Sequence, residues 1–314
     1  MPTIAQVMMD LLGRRFWITA YLALIIGVLI PGAHPEWSVA VPVVLGGILF
    51  FTGLRLPWGE ITAAARSISR WRLALILGGI QLGLMPLLAW ALTRLVAPDW
   101  AGGVLLVAMM PAGLSSIAYT DLFKGDRALA LLLVVATSLA TPITVPLGLQ
   151  WFGPDHAQVD LTAMAGRAGY ILMLLCIPLA ASQLLRAAAP GPIHRHHRLW
   201  GMLAVACSCV LGGVAVVTTK TTWLPLAWVG LLWPLLLTCC ASALFVVLSL
   251  GIRRWLSPPE AVAFACGAVY MNNGLSVAFA VRFFPDSPAM LLPSVLMMIP
   301  MVASTAIIGR CLRP

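Results

Sequence analysis

Long apolar blocks separated by short polar joints run along almost the whole chain. A membrane-spanning helix needs roughly 20 predominantly apolar residues, and blocks of that kind recur from residue 16 onward. The predicted segments are residues 16–33, 38–57, 72–96, 101–123, 126–151, 161–185, 199–219, 224–252, 260–283 and 288–309. The pattern therefore predicts an all-α polytopic membrane protein with ten transmembrane helices.

The composition supports a membrane class. Hydrophobic residues make up 61% of the chain and charged residues 9%, whereas soluble domains average about 25% charged residues. The first 15 residues hold Asp10, Arg14 and Arg15, with no leading apolar region before a small-residue cleavage site. We therefore expect the first helix itself to act as the insertion signal.

The basic residues divide unevenly when the ten segments are threaded across a bilayer. One side receives Arg14, Arg15, Arg55, Arg66, Arg70, Arg72, Lys124, Arg127, Arg186, Arg195, Arg198, Arg253, Arg254, Arg310 and Arg313; the other receives Arg94, Arg167, Lys220 and Arg282. The positive-inside rule then places both termini in the cytoplasm of a multi-pass protein of the bacterial inner membrane. Attraction to the lipid bilayer explains the net charge of +9, and no nucleic-acid partner is expected.

Histidine and cysteine give no indication of a metal or redox site. His194, His196 and His197 flank Arg195 in a short loop without cysteine or acidic ligands, which is typical of a solvated basic turn. The seven cysteines lack zinc or thioredoxin-like spacing, and most fall inside apolar segments. We expect no cofactor, no catalytic residue and no enzymatic activity, because no nucleophile–base pair or phosphate-binding loop is present.

Two short echoes suggest an internal repeat. Gly83-Leu84-Met85-Pro86 in the third segment resembles Gly230 and Leu231-Leu232-Trp233-Pro234 in the eighth, and Gly113-Leu114-Ser115 in the fourth reappears as Gly274-Leu275-Ser276 in the ninth. An offset of five segments is odd, so the two halves would run in opposite directions. The sequence therefore predicts two five-helix inverted repeats, residues 1–155 and 156–314.

The fourth and ninth segments also carry the strongest helix-breaking residues. Pro111 removes a backbone donor beside Gly113, and Asn272 and Asn273 place adjacent amides at mid-membrane depth. A proline kink with bridging amides is the simpler explanation for either segment alone. Together they predict two locally unwound helices that meet at a transport site, because backbone can unwind at that depth only where protein or water satisfies it.

These residues resemble the bile acid:sodium symporter family. The resemblance covers most of the chain and is carried by residues 49–56, 81–86, 111–129 and 272–280. It implies ten helices arranged as a panel domain (helices 1, 2, 6 and 7) and a core domain (helices 3–5 and 8–10), in which broken helices 4 and 9 cross. In function it implies a secondary transporter that works by alternating access.

The chain departs from this family at the positions that bind sodium. The family's ninth-helix glutamate aligns with Gly267, and the asparagine of its Ser-Asn pair aligns with Ile117. The resemblance leaves Gln81, Ser116, Ala268, Tyr270 and Met271 as the remaining candidates for an ion site. None of the ten acidic residues falls in the middle of an apolar segment, so we expect sodium coupling to be lost or altered.

The remaining polar residues near the breaks favour a small organic anion as substrate, because helix N-termini present free N–H groups. The candidate substrate-binding residues are Leu114, Ser115, Ser116, Thr120, Asn272, Asn273, Ser276 and Ser304. The alternative is a membrane receptor or sensor that keeps the transporter fold without moving its ligand. Neither reading requires an obligatory protein partner. Asp126, which precedes the fifth segment, is predicted to cap that helix.

Overall fold

The computed structural model describes residues 16–32, 34–56, 59, 62–63, 66–153, 161–224 and 228–312. Its α-helices, in chain order, are α1 (Phe16–Leu29), α2 (Ala40–Gly53), α3 (Ile68–Gly79), α4 (Met85–Val96), α5 (Ala101–Ala108), α6 (Ser115–Leu122), α7 (Arg127–Phe152), α8 (Leu161–Ala188), α9 (Pro190–Arg195), α10 (His197–Thr218), α11 (Lys220–Trp223), α12 (Trp228–Ile252), α13 (Pro258–Val269), α14 (Asn273–Phe283), α15 (Pro288–Leu296) and α16 (Met298–Cys311). Short 3₁₀ turns cover Pro35–Val39, Pro98–Trp100 and Arg253–Trp255, and a π-helical turn, Ile80–Leu84, joins α3 to α4.

Six helical stretches within the described residues are long and apolar enough to cross a membrane. They are Glu36–Gly53, Ile68–Val96, Arg127–Phe152, Ala165–Ala188, His197–Thr218 and Gly230–Trp255. A shorter apolar helical stretch covers Pro288–Met301. The chain is therefore an α-helical multi-pass membrane protein, as its pattern predicts.

Four of the ten predicted segments are not described as single helices of spanning length. The segments near residues 101–123, 260–283 and 288–309 are each divided between two helices, and the segment near 16–33 is described as the 14-residue α1. Each piece is too short to span a bilayer alone, since a spanning helix needs roughly 20 residues. The ten-helix count and the inverted repeat thus stay predictions.

The chain separates into two compact units. The first contains residues 1–58 and 172–225, and the second contains residues 59–171 and 226–314. Helix α8 therefore begins in the second unit and ends in the first. Each unit is assembled from two stretches that are distant in the sequence.

In the first unit, α10 packs against both α1 and α2. Glycine permits the close approach of α1, because a Cβ at Gly27 would lie 2.7 Å from the carbonyl oxygen of Gly213. The last carbonyls of α2 accept hydrogen bonds from α8: Gln183 Nε2 donates to Gly53 at 2.7 Å, and Arg186 Nη1 donates to Leu54 at 2.9 Å. These side chains satisfy backbone groups that every helix end leaves open.

The end of α1 is held by a buried lysine. Lys220, at the start of α11, is 4% exposed, and its Nζ donates hydrogen bonds to the carbonyl oxygens of Val28, at 2.8 Å, and Ile30. A cation at a helix C-terminus is favoured by the helix dipole. Among the described residues, Lys220 is the only buried side chain that carries a charge.

In the second unit, the core is formed by α5, α7, α13, α14 and α15. All eight residues of α5 are buried. The 26-residue helix α7 begins at its N-cap Asp126, whose carboxylate accepts a hydrogen bond from the backbone N–H of Leu129. The predicted capping role of Asp126 is confirmed. Arg127 pairs with Asp121 at 2.9 Å, which links the start of α7 to the end of α6.

Candidate functional site

The first interruption separates α5 from α6. Residues 109–114 leave the helix, and Pro111, within them, has no N–H to donate. Glycine is required two residues later, because a Cβ at Gly113 would lie 2.8 Å from the carbonyl oxygen of Tyr270 and 3.2 Å from that of Met271. The helix is therefore interrupted where the sequence predicts it.

The second interruption separates α13 from α14. It covers residues 270–272 and contains neither proline nor glycine. The side chain of Asn272 caps the new helix, since its Oδ1 accepts a hydrogen bond from the N–H of Leu275 at 3.2 Å. A side-chain cap of this kind replaces the backbone acceptor that a continuous helix would provide.

The two interruptions meet and form a short antiparallel bridge centred on Ala112 and Met271. The N–H of Gly113 donates to Tyr270 O, and the N–H of Asn272 donates to Pro111 O, each at 2.7 Å. Each interrupted segment thus supplies the partners that the other lost when its helix opened. This exchange explains how backbone can unwind inside the core without leaving these groups unpaired.

Helix α7 supports the bridge from its side. Thr137 Oγ1 accepts a hydrogen bond from the N–H of Ala112 at 3.1 Å and donates to Leu133 O at 2.6 Å. The hydroxyl therefore links the backbone of the unwound segment to the backbone of α7. The sequence identifies Thr137 only as a polar residue in an apolar segment; no local signal reveals its partner, which lies 25 positions away.

Two buried polar side chains at the bridge have atoms without hydrogen-bond partners among the described residues. They are Asn273, both of whose side-chain polar atoms lack a partner, and Ser116, whose Oγ does. Asn273 is 5% exposed and Ser116 is fully buried. Buried polar groups are almost always paired in folded proteins, so groups left open mark sites where water or a ligand completes the bonding.

Other predicted substrate-binding residues form bonds within the protein. Thr120 Oγ1 donates to Ser116 O at 2.8 Å, Ser276 Oγ pairs with Ser294 Oγ at 2.6 Å, and Ser304 Oγ pairs with Ser242 Oγ at 2.9 Å. The two serine pairs are buried links between helices. Leu114 is half-buried and Ser115 is exposed, which leaves both accessible at the start of α6.

The predicted ion-site residues lie close to the bridge but use their polar groups differently from a cation site. Gln81, in the π-helical turn, donates from Nε2 to Gly267 O at 3.0 Å, and its Oε1 has no partner among the described residues. Ala268, Tyr270 and Met271 are buried. Tyr270 O accepts from Gly113, and Met271 O accepts from the N–H of Asn273 at 2.9 Å. Three of the backbone oxygens in this region are thus already bonded to N–H donors.

An aromatic stack borders the same region. The rings of Tyr119 and Tyr270 are stacked with centroids 3.9 Å apart and planes 13° from parallel. Stacking of this type adds about 0.5–1.5 kcal/mol beyond the burial of the rings. Sequence reasoning missed Tyr119, and its only signal is its position three residues after Ser116 on the same helix.

The site as a whole is electrically neutral. Among the described residues of the second unit, no buried side chain carries a charge, and the searched residues hold no cluster of three metal-ligating groups. The first turns of α6 and α14 leave backbone N–H groups open: among the described residues, none accepts a bond from the N–H of Ser115 or of Gly274. The site therefore offers dipoles rather than ions to a ligand.

Comparison with known proteins gives several related chains, and the three described here are each matched over only two thirds or less of their own length. An uncharacterised protein of Pseudomonas aeruginosa, PA2026, is 28% identical over 237 residues, which cover 70% of this chain and 66% of that protein. The uncharacterised sodium-dependent transporter YocS of Bacillus subtilis is 30% identical over 47% of this chain and 46% of its own length. The probable sodium/metabolite cotransporter BASS1 of Oryza sativa subsp. japonica is 27% identical over 44% of this chain and 34% of its own.

A family model agrees with these relatives and with the helix pattern. The model of the sodium bile acid symporter family matches residues 42–223, more than half of the chain. The match begins in α2 and ends in α11, so it includes the first interruption, the π-helical turn with Gln81 and the capped start of α7. On this evidence the chain belongs to the sodium bile acid symporter family.

Proposed function

We propose that the chain is a secondary transporter of a small organic anion that works by alternating access without the sodium coupling of its family. The observation that carries the proposal is the bridge between the two interrupted segments, where Asn273 and Ser116 keep buried polar atoms open. In transporters, discontinuous helices at mid-membrane depth form the substrate site. A purely structural kink has no need for open buried polar groups.

Three donors at the bridge favour an anion as the ligand. The open N–H groups of Ser115 and Gly274 lie in the first turns of α6 and α14, where the helix dipole is positive. The Nδ2 of Asn273 adds a side-chain donor. A carboxylate or sulfonate can accept hydrogen bonds from these donors. Such bonds would stabilise its negative charge although the site contains no buried cation.

The lost sodium coupling is proposed from the surroundings of Gly267. A bound cation needs oxygen ligands, but Gly267 O already accepts from the Gln81 amide. The position has room for a Cβ, which would meet Leu133, Ala112 and Gln81 Oε1 at 3.6–3.7 Å, an ordinary contact distance. A side chain that begins at this position would therefore start beside the Gln81 amide.

The proposal includes the finer architecture. Ten transmembrane helices in two inverted repeats, with both termini in the cytoplasm of a bacterial inner membrane, would place the two interruptions at equivalent positions of the two halves. The four short helices around the bridge support this arrangement. The pair α5 and α6 corresponds to one predicted span, and the pair α13 and α14 corresponds to another.

Uptake into proteoliposomes tests the function. Radiolabelled organic anions are offered to vesicles containing purified protein, with sodium, potassium and proton gradients imposed separately. We expect saturable uptake that does not depend on sodium. Uptake that requires sodium would refute the loss of coupling while leaving transport intact, and ligand binding without uptake under any gradient would favour the receptor.

Two variants at one position sharpen the coupling test. Gly267→Glu introduces a carboxylate beside Gln81, and Gly267→Gln is its neutral control of similar size. We expect sodium to stimulate uptake by Gly267→Glu and to leave Gly267→Gln and the unaltered chain unchanged. Equal sodium responses in the two variants would show that the missing carboxylate is not what removes the coupling.

A further inference from the structure

Aromatic side chains gather where the start of α8 meets the end of α14. Tyr170 of α8 lies edge-on to Phe283, with ring centroids 5.4 Å apart, and its hydroxyl donates a hydrogen bond to Ala278 O at 3.5 Å. Phe283 also contacts Phe279, one turn earlier on α14, with centroids 4.7 Å apart. We call Tyr170, Phe279, Phe283 and Phe284 the aromatic pad. All four residues belong to the second unit.

Arg167 lies on this pad, one turn before Tyr170 on α8. Its guanidinium carbon is 5.9 Å from the centre of the Phe283 ring and 5.6 Å from that of Phe284. A cation–π contact contributes about 0.5–1 kcal/mol at an exposed site. Among the described residues, none accepts a hydrogen bond from the Arg167 side chain or forms an ion pair with it. The pad therefore holds in place a charge whose five N–H donors are still available.

A second arginine, Arg282, lies beside the same tyrosine. In a helix the carbonyl of Ala278 faces the residue four positions later, which is Arg282, and Tyr170 donates to that carbonyl. The charge of Arg282 acts on the Tyr170 hydroxyl. Arg282 is exposed, and no hydrogen bond or ion pair occupies its side chain within the described part of the chain. Tyr170 thus has Arg167 next to it on its own helix face and Arg282 next to its hydroxyl.

No carboxylate pairs with either arginine among residues 161–224 and 228–312 or elsewhere in the described chain. Asp286, the next acid after Arg282, is exposed and forms no ion pair there. Asp155 and Asp160, which precede α8 in the sequence, lie outside the described residues. The dipole of α14 favours a cation in its last turn, where Arg282 lies, but Arg167 is in the second turn of α8, where no such effect acts. Helix capping therefore does not account for the pair.

The two arginines lie at the opposite end of α14 from the bridge. This helix has 11 residues and is therefore about 16 Å long. The field of an exposed charge is screened within about 8 Å at physiological salt, so the arginines form a site of their own rather than a part of the bridge. Among the described residues of this unit no buried side chain is charged, and the dipoles of the bridge attract an anion only at short range. Charges near the entrance of such a site can concentrate its ligand and raise the association rate.

We propose that Arg167 and Arg282 bind the carboxylate of an organic anion at the end of α14, and that the apolar body of this anion packs against the aromatic pad. A carboxylate accepts hydrogen bonds from guanidinium groups, and its charge compensates two cations that have no acid partner. An organic anion fits better than an inorganic one because the rings adjoin the charges. The predicted threading places both arginines opposite the cytoplasm. The use of this site as the first contact of a transported anion rests on the proposed function, whereas binding itself does not.

Chemical protection tests binding without requiring transport. Purified protein in neutral detergent is treated with phenylglyoxal, which modifies accessible guanidinium groups, and mass spectrometry of peptides gives the modified fraction at each arginine. The probes are benzoate, its neutral counterpart benzamide, and acetate, which lacks an apolar body. At about ten times its dissociation constant, benzoate should slow the modification of Arg167 and Arg282 roughly ten-fold. Arg94, an exposed arginine of the same unit that lies over Trp90, should react equally with and without benzoate.

Each probe removes one part of the assignment if it gives the wrong result. Equal protection by benzamide would overturn the role of the charge, and equal protection by acetate would overturn the role of the aromatic pad. Protection of Arg94 to the same extent would show that benzoate acts on arginines in general. Absence of protection at both Arg167 and Arg282 would overturn the site altogether.

Variants connect the site to uptake. Arg167→Gln with Arg282→Gln should raise the KM for uptake into proteoliposomes roughly ten-fold and leave kcat unchanged, because charges that steer a ligand act on association. Arg167→Lys with Arg282→Lys keeps the charge and should retain most of the effect, which separates lost charge from lost folding. Arg94→Gln removes one charge from the same unit and should leave the KM unchanged. An unchanged KM in the glutamine pair would refute capture of the transported anion, whereas benzoate protection in a chain that moves no anion would leave this site standing and refute the transport proposal.

Discussion

The two interruptions reach the same bridge by different means. Between α5 and α6 the chain is opened by its backbone: Pro111 lacks a donor, and Gly113 admits the carbonyl of Tyr270. Between α13 and α14 no proline or glycine is present, and the side chain of Asn272 starts the new helix. The first interruption is therefore built into covalent geometry, whereas the second depends on a hydrogen-bonded cap.

This difference separates structural from ligand-binding roles. The segment between α5 and α6 is constrained by steric contact with backbone atoms, which cannot move aside as a side chain can. The segment between α13 and α14 is constrained by single hydrogen bonds, each of which contributes about 1 kcal/mol. Variants that disturb the first segment should lower the unfolding free energy most, and variants in the second can alter binding with a smaller loss of stability.

Gly113→Ala should have the largest effect on stability. The added Cβ would lie 2.8 Å from a backbone oxygen, so the bridge must move apart, at a cost of about 2–3 kcal/mol, which is typical of overpacking. Thermal unfolding of the purified protein measures the loss. Gly79→Ala is the matched control, because a Cβ at Gly79 meets nothing within 4 Å and should leave the unfolding temperature unchanged or raised.

Thr137→Val should come next. The valine keeps the shape but leaves the buried N–H of Ala112 without its acceptor, which costs about 1–3 kcal/mol of unfolding free energy. Thr141→Val is the control, since Thr141 Oγ1 bonds only its own helix, at Thr137 O. If both valine variants unfold at the same temperature, the hydroxyl of Thr137 does not support the bridge.

The smallest change in stability, and the clearest contrast in function, is expected at the two asparagines. Asn272→Ala removes the cap of α14 and should lower stability by about 1 kcal/mol. Asn273→Ala removes open polar atoms and should leave stability unchanged or raised, while lowering uptake at least ten-fold, because ligand bonds are lost. An Asn273 variant that unfolds early but transports normally would contradict this division.

The sequence predicts the features that depend on local chemistry. Pro111 and Gly113 identify the first interruption, the adjacent amides of Asn272 and Asn273 identify the second, and Asp126 identifies the start of α7. These signals act within a turn of the chain, so they can be read without knowing what packs nearby. The helical membrane class follows equally directly from the apolar blocks.

The sequence does not predict the partners of the polar side chains. Nothing near Gln81 indicates that its amide donates to a residue 186 positions away, or that Ser276 bonds Ser294 rather than a ligand. Nor does the pair Asn272-Asn273 reveal which member caps the helix and which stays open. These choices depend on tertiary packing, and the full set of substrate-binding residues accordingly stays a prediction.

The buried Lys220 has a consequence for how the protein is made. Its ammonium completes the end of α1 from a position 192 residues after Val28, so α1 is synthesised long before this partner of its last carbonyls exists. Until translation has passed residue 220, the carbonyls of Val28 and Ile30 need other hydrogen-bond donors, such as water. Maturation of the first unit is therefore a late event in biosynthesis, although its first helix is synthesised early.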